Sequence, residues 1–340
     1  MASGEWKLEQ PWWERPLDPT IPAHPAPRSS ASTTTRPGQI IAVGGGKGGS
    51  GKSLVAVSLA VELARRGLHP LLVDCDLGGA NLHTFFGLEP PRQALSDFVL
   101  RRVENLASLV LRTPVPGIGL VPGARNAVQI ANPLYQQKQR LLRELRRLEA
   151  EVVILDLGAG SHTNVVDFFL LADTGILVVA PEPTSIENAY LFLKASFLRR
   201  LKAIDLDDQG KATLQDAMRS ISGRPRSPAE IVRAVGERDA ALAGRLENAL
   251  ATFRPWLVVN QVRLPADLEL GEGMCAVAQR VFGIPLSYLG HLRHYDQVWR
   301  AVRAHQPVFF EQLGRLFAAD VAALVNRLPG APALAREVAP

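Results

Sequence analysis

Short apolar runs alternate with longer segments of helical spacing along most of this chain. The runs predict β-strands at 39–43, 70–74, 119–123, 151–156, 175–180, 256–260 and 285–290. Between them, apolar positions three and four residues apart predict helices at 53–67, 133–150, 184–200 and 276–283. Strands that are apolar throughout and alternate with helices are typical of a mostly parallel sheet. The pattern therefore predicts an α/β fold with helices on both faces of that sheet.

Changes in composition divide the chain into a leader, one domain and a tail. Residues 1–38 are rich in proline and small polar residues, which predicts a disordered leader, and 329–340 form a short tail. The domain is expected over 39–328, with a charged helical insertion at 201–254. Three tryptophans lie in the leader, so it either docks on a protein partner or folds back on its own domain. These tryptophans are Trp6, Trp12 and Trp13.

Composition limits the function classes only broadly. A chain of 340 residues with 47% hydrophobic and 21% charged residues is long enough for a large α/β domain. Its net charge of +5 points weakly to an anionic partner. Two cysteines without a C-x-x-C pair argue against a disulfide framework or a thiolate metal site. With no signal-peptide pattern and no 18-residue apolar run, we expect a soluble cytoplasmic protein. Peripheral contact with the inner face of the membrane is left open.

A glycine-rich stretch after the first predicted strand carries the clearest chemistry. Residues 46–53 fit the phosphate-loop pattern G-x-x-x-x-G-K-[ST], between a strand and a helix. Backbone N–H groups of such a loop and the helix N-terminus bind polyphosphate. The same glycines fit the dinucleotide pattern G-x-G-x-x-G, but that pattern gives no purpose to the Lys-Ser pair that ends the loop. The predicted binding residues are Gly46, Lys47, Gly48, Gly49, Ser50, Gly51, Lys52 and Ser53.

Acidic residues follow two later strands. Asp74 and Asp76 end the strand at 70–74, and Asp156 ends the strand at 151–156. In open α/β sheets, ligands bind in the crevice at the carboxyl ends of the strands. Carboxylates there suit Mg²⁺ and the attacking water of a nucleoside triphosphatase. The alternatives are helix-capping acids for the first pair and a simple strand terminator for Asp156.

These segments together resemble the MinD/ParA family of deviant Walker A ATPases. The segments are KGGSGKS in the loop, DCDLGGAN at 74–81 and DLGAG at 156–160. Residues 178–195 and 290–308 resemble the FlhG branch of that family, which regulates flagellar number. The resemblance covers residues 39–200 and 255–328, and it implies a P-loop NTPase fold.

The resemblance also implies roles for individual residues. It implies that ATP and Mg²⁺ are bound, and that Lys52 contacts the β- and γ-phosphates. Lys47 would reach across an ATP-dependent homodimer to the partner's phosphates, which would make a slow hydrolysis depend on dimerisation. Asp76 would position the attacking water. By the same resemblance, Ser53, Asp74 and Asp156 would hold Mg²⁺, Gly158 would donate its amide to the γ-phosphate, and Asn260 would read adenine.

The implied function is a nucleotide-controlled switch in spatial or numerical regulation. Its target would be flagellum placement or number, cell division or another polar machine. The alternative is an ATP-gated adaptor that acts through the leader, or a ParA-like protein that binds DNA nonspecifically. A candidate basic patch for DNA consists of Arg199, Arg200, Lys202, Arg224 and Arg226.

Three features depart from the family pattern. The apolar stripe of residues 309–328 has the spacing of a helix but few basic residues, which favours a core helix over a membrane helix. The leader lacks the GTPase-stimulating motif of FlhG relatives. Arg293 stands where the family usually has proline.

Cys75 and Cys275 are not placed to bridge an iron–sulfur cluster between subunits.

Overall fold

The computed structural model describes residues 38–123, 134–219, 226–303 and 315–330. Predictions for Trp6, Trp12, Trp13 and Arg224, and for most of the tail, lie outside these ranges. Within them, one eight-stranded sheet organises the fold, in the order β3-β4-β2-β5-β1-β6-β7-β8. All strand pairs are parallel except β3 with β4. The strands are β1 Gln39–Gly44, β2 Pro70–Cys75, β3 Leu111–Arg112, β4 Gly119–Val121, β5 Val152–Leu157, β6 Thr174–Val179, β7 Trp256–Val262 and β8 Ser287–Arg293.

Helices cover both faces of the sheet, as predicted. They are α1 Lys52–Arg65, α2 Leu82–Phe85, α3 Leu95–Val99, α4 Tyr135–Leu145, α5 Thr163–Leu171, α6 Pro183–Lys202, α7 Asp208–Met218, α8 Pro228–Gly236, α9 Ala240–Thr252, α10 Leu270–Val277, α11 Asp296–Arg303 and α12 Arg315–Arg327. Short 3₁₀ helices lie at Leu106–Leu109 and Pro265–Leu268, and a π-helical turn at Ala278–Phe282 follows α10. The α/β fold class is therefore confirmed.

Alternating side chains of each strand feed two separate cores. In β1, Ile40 and Ala42 join the core that includes α4 to α9, whereas Ile41 and Val43 join the core under α1 and α12. This alternation follows from the two-residue period of a strand, and apolar residues at every position are required because both faces are covered. The predicted insertion contains helices α7 to α9, which lie in the connection from β6 to β7. Their buried side chains belong to the first core.

The last described helix closes the second core. Phe317, Val321 and Leu324 of α12 are at most 1% exposed and belong to the core shared with α1. The preference for a core helix over a membrane helix is thereby confirmed for residues 315–327. Across the described ranges, no helix has the length and apolarity needed to cross a bilayer.

Arg199, one of the five residues of the candidate basic patch for DNA, is not on the surface. Arg199 is only 6% exposed, and its guanidinium donates to both carboxylate oxygens of Asp167, at 2.7 and 3.0 Å. Lys138 donates to the same carboxylate. Arg226 donates to the backbone oxygen of Ala217. Arg199 is therefore an interior ion-pair residue. The run of basic residues at the end of α6 had suggested a surface position instead.

Candidate nucleotide-binding site

The glycine-rich loop joins β1 to α1 at the carboxyl edge of the sheet. Gly49 and Gly51 have φ angles of 79° and 87°, in the left-handed region that favours glycine. A Cβ atom at Gly46 would lie 2.1 Å from the backbone oxygen of Asn188, so the loop packs closely on α6 there. Gly51 is the residue that precedes α1, and the N-terminus of that helix faces the loop. This is the geometry in which backbone amides and a helix dipole bind phosphate oxygens.

Lys52 lies within the loop and not on its outer side. It is 7% exposed, and Nζ donates to the backbone oxygen of Lys47 at 3.1 Å. Burial lowers the pKa of Lys52, while the charges of Asp156 and Asp76 act in the opposite direction. A buried ammonium group beside a cradle of backbone amides is suited to an anionic ligand.

Two of the predicted magnesium ligands, Asp74 and Asp156, lie side by side on neighbouring strands. They are register partners in the pairing of β2 with β5, and both are at most 2% exposed. Burial, followed by the charge of Asp74, raises the pKa of Asp156 to about 8. Burial also raises the pKa of Asp74 to about 6. Two buried carboxyls this close favour a cation between or beside them.

The hydrogen bonds of these two carboxyls differ. Asp74 accepts from the backbone N–H groups of Asp76 and Leu82, at 3.1 and 3.0 Å, and so anchors the start of α2 as a capping acid would. Asp156 is bonded by the hydroxyl of Ser53, but its Oδ1 atom is buried without a hydrogen-bond partner among the described residues. The free oxygen and the adjacent hydroxyl fit a hard cation such as Mg²⁺. Ser53 and Asp156 would hold it most directly.

Asp76 and Gly158 meet at the mouth of the same crevice. Asp76 Oδ1 accepts from the N–H groups of Gly78 and Gly79, at 3.1 and 2.9 Å. A Cβ atom at Gly158 would lie 3.0 Å from the same oxygen, so the turn after β5 runs against Asp76. The turn after β5 and the segment after β2 therefore meet here, and Asp76 lines the cleft beside the loop.

Lys47 lies on the outer rim of the loop. Its side chain is 35% exposed, and Nζ contacts Glu182 Oε2 at 2.5 Å and Thr184 Oγ1 at 2.8 Å. Both partners follow β6, at the N-terminus of α6. The two loop lysines thus have different environments: Lys52 is enclosed by the loop, while Lys47 is directed out of it.

Asn260 supports the loop from β7. Its Nδ2 atom donates to the backbone oxygen of Ser50 at 2.9 Å, and the side chain is buried. That bond leaves the carboxamide oxygen for a ligand, so adenine contact stays a prediction. Gln261 forms a second bond of the same kind, from Nε2 to the oxygen of Gly49 at 2.9 Å. Sequence reasoning missed Gln261, because a polar residue at a strand end gives no specific signal.

The structure explains Arg293. Its guanidinium donates to Asp320 through Nε at 3.0 Å and Nη2 at 2.6 Å, and its backbone N–H donates to the same carboxylate. The hydroxyl of Tyr295 also donates to Asp320, at 3.1 Å. Arg293 therefore ties the end of β8 to α12, a bidentate role that proline has no group to fill.

An open cleft of about 1010 Å³ runs from the loop to this end of β8. The loop, Asp76 and Asn260 line one part, and Arg263, His294 and Tyr295 line the other. The cleft is large enough for a nucleotide, with phosphate-binding groups at one end and ring side chains at the other. Fold and site together define a P-loop nucleotide-binding protein.

Comparison with known proteins identifies the family within this class. A model of the CobQ/CobB/MinD/ParA nucleotide binding domain family matches residues 41–308. The match covers well over half of the chain, and the chain belongs to this family.

Its curated relatives include regulators of flagella and of division. The antiactivator FleN of Pseudomonas aeruginosa is 39% identical over 160 residues, 46% of this chain and 56% of FleN. The flagellum site-determining protein YlxH of Helicobacter pylori is 28% identical over 158 residues, 46% of this chain and 53% of YlxH. The septum site-determining protein MinD of Synechocystis is 29% identical over 183 residues, 52% of this chain and 63% of MinD. The chain thus spans less than two thirds of the length of each.

Solved structures agree on the fold. MinD of Pyrococcus horikoshii in complex with Mg-ADP superposes with a TM-score of 0.57 at 18% identity, over 88% of this chain and 99% of that one. A plasmid partition protein of Borrelia burgdorferi bound to AMPPNP gives a TM-score of 0.58 at 15% identity, over 85% and 98%. At these identities the likeness establishes the shared fold.

Proposed function

We propose that this protein is an ATP- and Mg²⁺-dependent dimerising ATPase of the MinD/FlhG type, which acts as a nucleotide-controlled switch. The observation that carries the proposal is the separation of the two loop lysines. Lys52 is enclosed by the loop, whereas Lys47 is directed outward and is paired with Glu182. In this proposal the first serves a nucleotide bound to its own chain, and the second serves a nucleotide bound to another copy.

Each step of hydrolysis has residues suited to it. Lys52 and the loop amides bind and orient the phosphates. Ser53 and Asp156, with Asp74 behind them, would hold Mg²⁺, which when bound neutralises charge on the phosphates. Asp76 orients the attacking water, and the amide of Gly158 is available to the γ-phosphate. Asn260 offers its carboxamide oxygen to the exocyclic amino group of adenine.

The contact of Lys47 with Glu182 suits a reversible switch. Both side chains are substantially exposed, at 35% and 55%, and an exposed ion pair contributes at most about 1 kcal/mol. Phosphates of a second subunit are a more highly charged partner for the same ammonium group. Lys47 therefore leaves Glu182 at little cost when two nucleotide-bound copies meet, and hydrolysis becomes dependent on the dimer.

The relatives indicate where such a switch acts. YlxH and MinD are named as flagellum and septum site-determining proteins, and FleN as an antiactivator, so we propose a role in flagellum number or placement, or in division. A partition role through DNA has less support, because Arg199 of the candidate patch is buried. A protein partner for leader residues 1–38 and peripheral membrane contact remain predictions.

Nucleotide binding and phosphate release test the activity. Lys52→Ala should weaken the binding of Mg-ATP about 100-fold or more, because charge-assisted bonds to phosphate are lost. Asp76→Ala should retain binding but release little phosphate. Lys211→Ala, at a lysine whose side chain is 65% exposed on α7, is the control and should match the wild type. Unchanged affinity in Lys52→Ala would refute the loop assignment, and normal turnover in Asp76→Ala would remove that carboxylate from the chemistry.

A further inference from the structure

Gln261 has a backbone conformation that is unusual for its residue type. Its φ angle is 63°, and Arg101 is the other non-glycine residue with positive φ among the described residues. L-residues adopt this region rarely, and at functional sites such strain is maintained by the surrounding structure. The pairing of β7 with β8 also shifts register between Val259 and Val262, so Gln261 lies at a β-bulge.

The bulge lets two consecutive side chains reach one loop. In a regular strand, neighbouring side chains point to opposite faces. Here Asn260 donates to the oxygen of Ser50 and Gln261 donates to the oxygen of Gly49, each at 2.9 Å. Two adjacent residues of β7 therefore hold two adjacent carbonyl groups of the phosphate loop. The left-handed backbone at Gln261 departs from the regular alternation that would separate the two side chains.

Holding a carbonyl group also orients the amide that follows it. In a planar trans peptide, the C=O of one residue and the N–H of the next point in opposite directions. The two carboxamides therefore direct the N–H groups of Ser50 and Gly51 away from β7. A Cβ atom at Gly49 would meet no atom within 4 Å, whereas Ser50 is buried and its hydroxyl donates to the backbone oxygen of Lys47. The hydrogen bond from Gln261 is a restraint on the peptide plane between Gly49 and Ser50.

We infer that Gln261 is a positioning residue for nucleotide binding. It keeps the loop amides oriented for phosphate before the nucleotide arrives, through its bond to the carbonyl group of Gly49, and it also lines the cleft. The inference rests on the proposed function, because it assumes that the loop binds nucleotide phosphates. Loss of one such hydrogen bond should weaken affinity about 5- to 10-fold.

A pair of variants separates positioning from a general effect on stability. Gln261→Ala removes the donor and keeps the backbone strain, whereas Gln261→Gly removes both. Gln215→Ala, at an exposed glutamine on α7, is the control. The dissociation constants of Mg-ADP and Mg-AMPPNP are measured for the full chain by titration calorimetry. The thermal midpoint of each nucleotide-free protein is measured in parallel.

Positioning predicts that both Gln261 variants bind both nucleotides 5- to 10-fold more weakly, although Gln261→Gly is at least as thermally stable as Gln261→Ala. Wild-type affinity in either variant would overturn the inference. A loss of affinity confined to Gln261→Ala would also overturn it. Both variants lack the hydrogen-bond donor, so a defect in only one of them would have to come from the backbone strain that Gln261→Ala retains. If the wild-type protein itself binds neither nucleotide, the proposed function fails, and that result is distinct from failure of the Gln261 variants alone.

Discussion

Two buried clusters of charged residues in this protein have opposite character. Between α4, α5 and α6, Asp167 accepts from Arg199 and from Lys138, and each of its carboxylate oxygens has a cationic donor. At the carboxyl edge of the sheet, Asp156 is equally buried, yet its Oδ1 atom has no partner among the described residues. Burial raises the pKa of Asp156 to about 8. The first cluster is complete within the chain, whereas the second has a carboxylate oxygen that a ligand could bind.

The difference shows why burial of charge alone does not identify a functional site. Unpaired buried polar groups are costly, and folded proteins retain few of them without a reason. The triad around Asp167 meets this requirement with side chains and is structural. At Asp156, one buried carboxylate oxygen has no partner among the described residues, and this residue lies next to the phosphate loop.

The largest effect is expected in the completed cluster. Asp167→Ala leaves the buried cations of Lys138 and Arg199 without their counter-ion and should lower the free energy of unfolding by about 3–5 kcal/mol. Denaturant unfolding followed by circular dichroism measures the change. Asp208→Ala, at a fully exposed carboxylate on α7, is the control. A loss below about 1 kcal/mol in Asp167→Ala would erase the contrast between the clusters.

An effect of opposite sign is expected at Asp156. The folded chain keeps its proton to about pH 8, whereas the usual value for an unfolded chain is 3.8. Its contribution to stability is therefore complete below pH 3.8 and is lost as the pH rises through 8. Asp156→Asn, with a neutral side chain of the same shape, should remove this dependence and stabilise the metal-free protein at pH 8.

Thermal unfolding in EDTA, at pH 5 and pH 8, tests this expectation. The thermal midpoint of the wild type should fall more than that of Asp156→Asn between the two pH values, and Asp208→Asn should behave as the wild type does. An equal fall in thermal midpoint for the wild type and Asp156→Asn would mean that the carboxyl of Asp156 is ionised in the folded chain. The contrast between the two buried clusters would then lose its main support.

Much of the fold was predictable because it depends on local patterns. The strands lie within a few residues of the apolar runs, since strands buried on both faces must be apolar throughout. The two-residue strand β3 was missed, because so short a segment carries no periodicity. The helix predicted at 276–283 begins at Leu270 instead and ends in a π-helical turn, which the glycines at 271 and 273 obscured.

The candidate site was predictable where a motif is contiguous in sequence. The loop and Asp156 follow directly from their strands. The role of Arg199 was not predictable, since its partner Asp167 lies on another helix and nothing in the sequence links them. For the same reason Arg293 had no explanation until Asp320 was found beside it. The positive φ of Gln261 arises from a register shift between strands, which is a tertiary feature.

The central claim is that Lys47 serves a nucleotide on a second copy of the chain. Its most direct test is the solution mass by light scattering with Mg-AMPPNP and with Mg-ADP, for the wild type and for Lys47→Ala. We expect the wild type to double from 36.9 kDa only with Mg-AMPPNP, while Lys47→Ala binds the nucleotide and stays monomeric. A wild-type mass that is the same with both nucleotides, or a Lys47→Ala protein that doubles like the wild type, would contradict it.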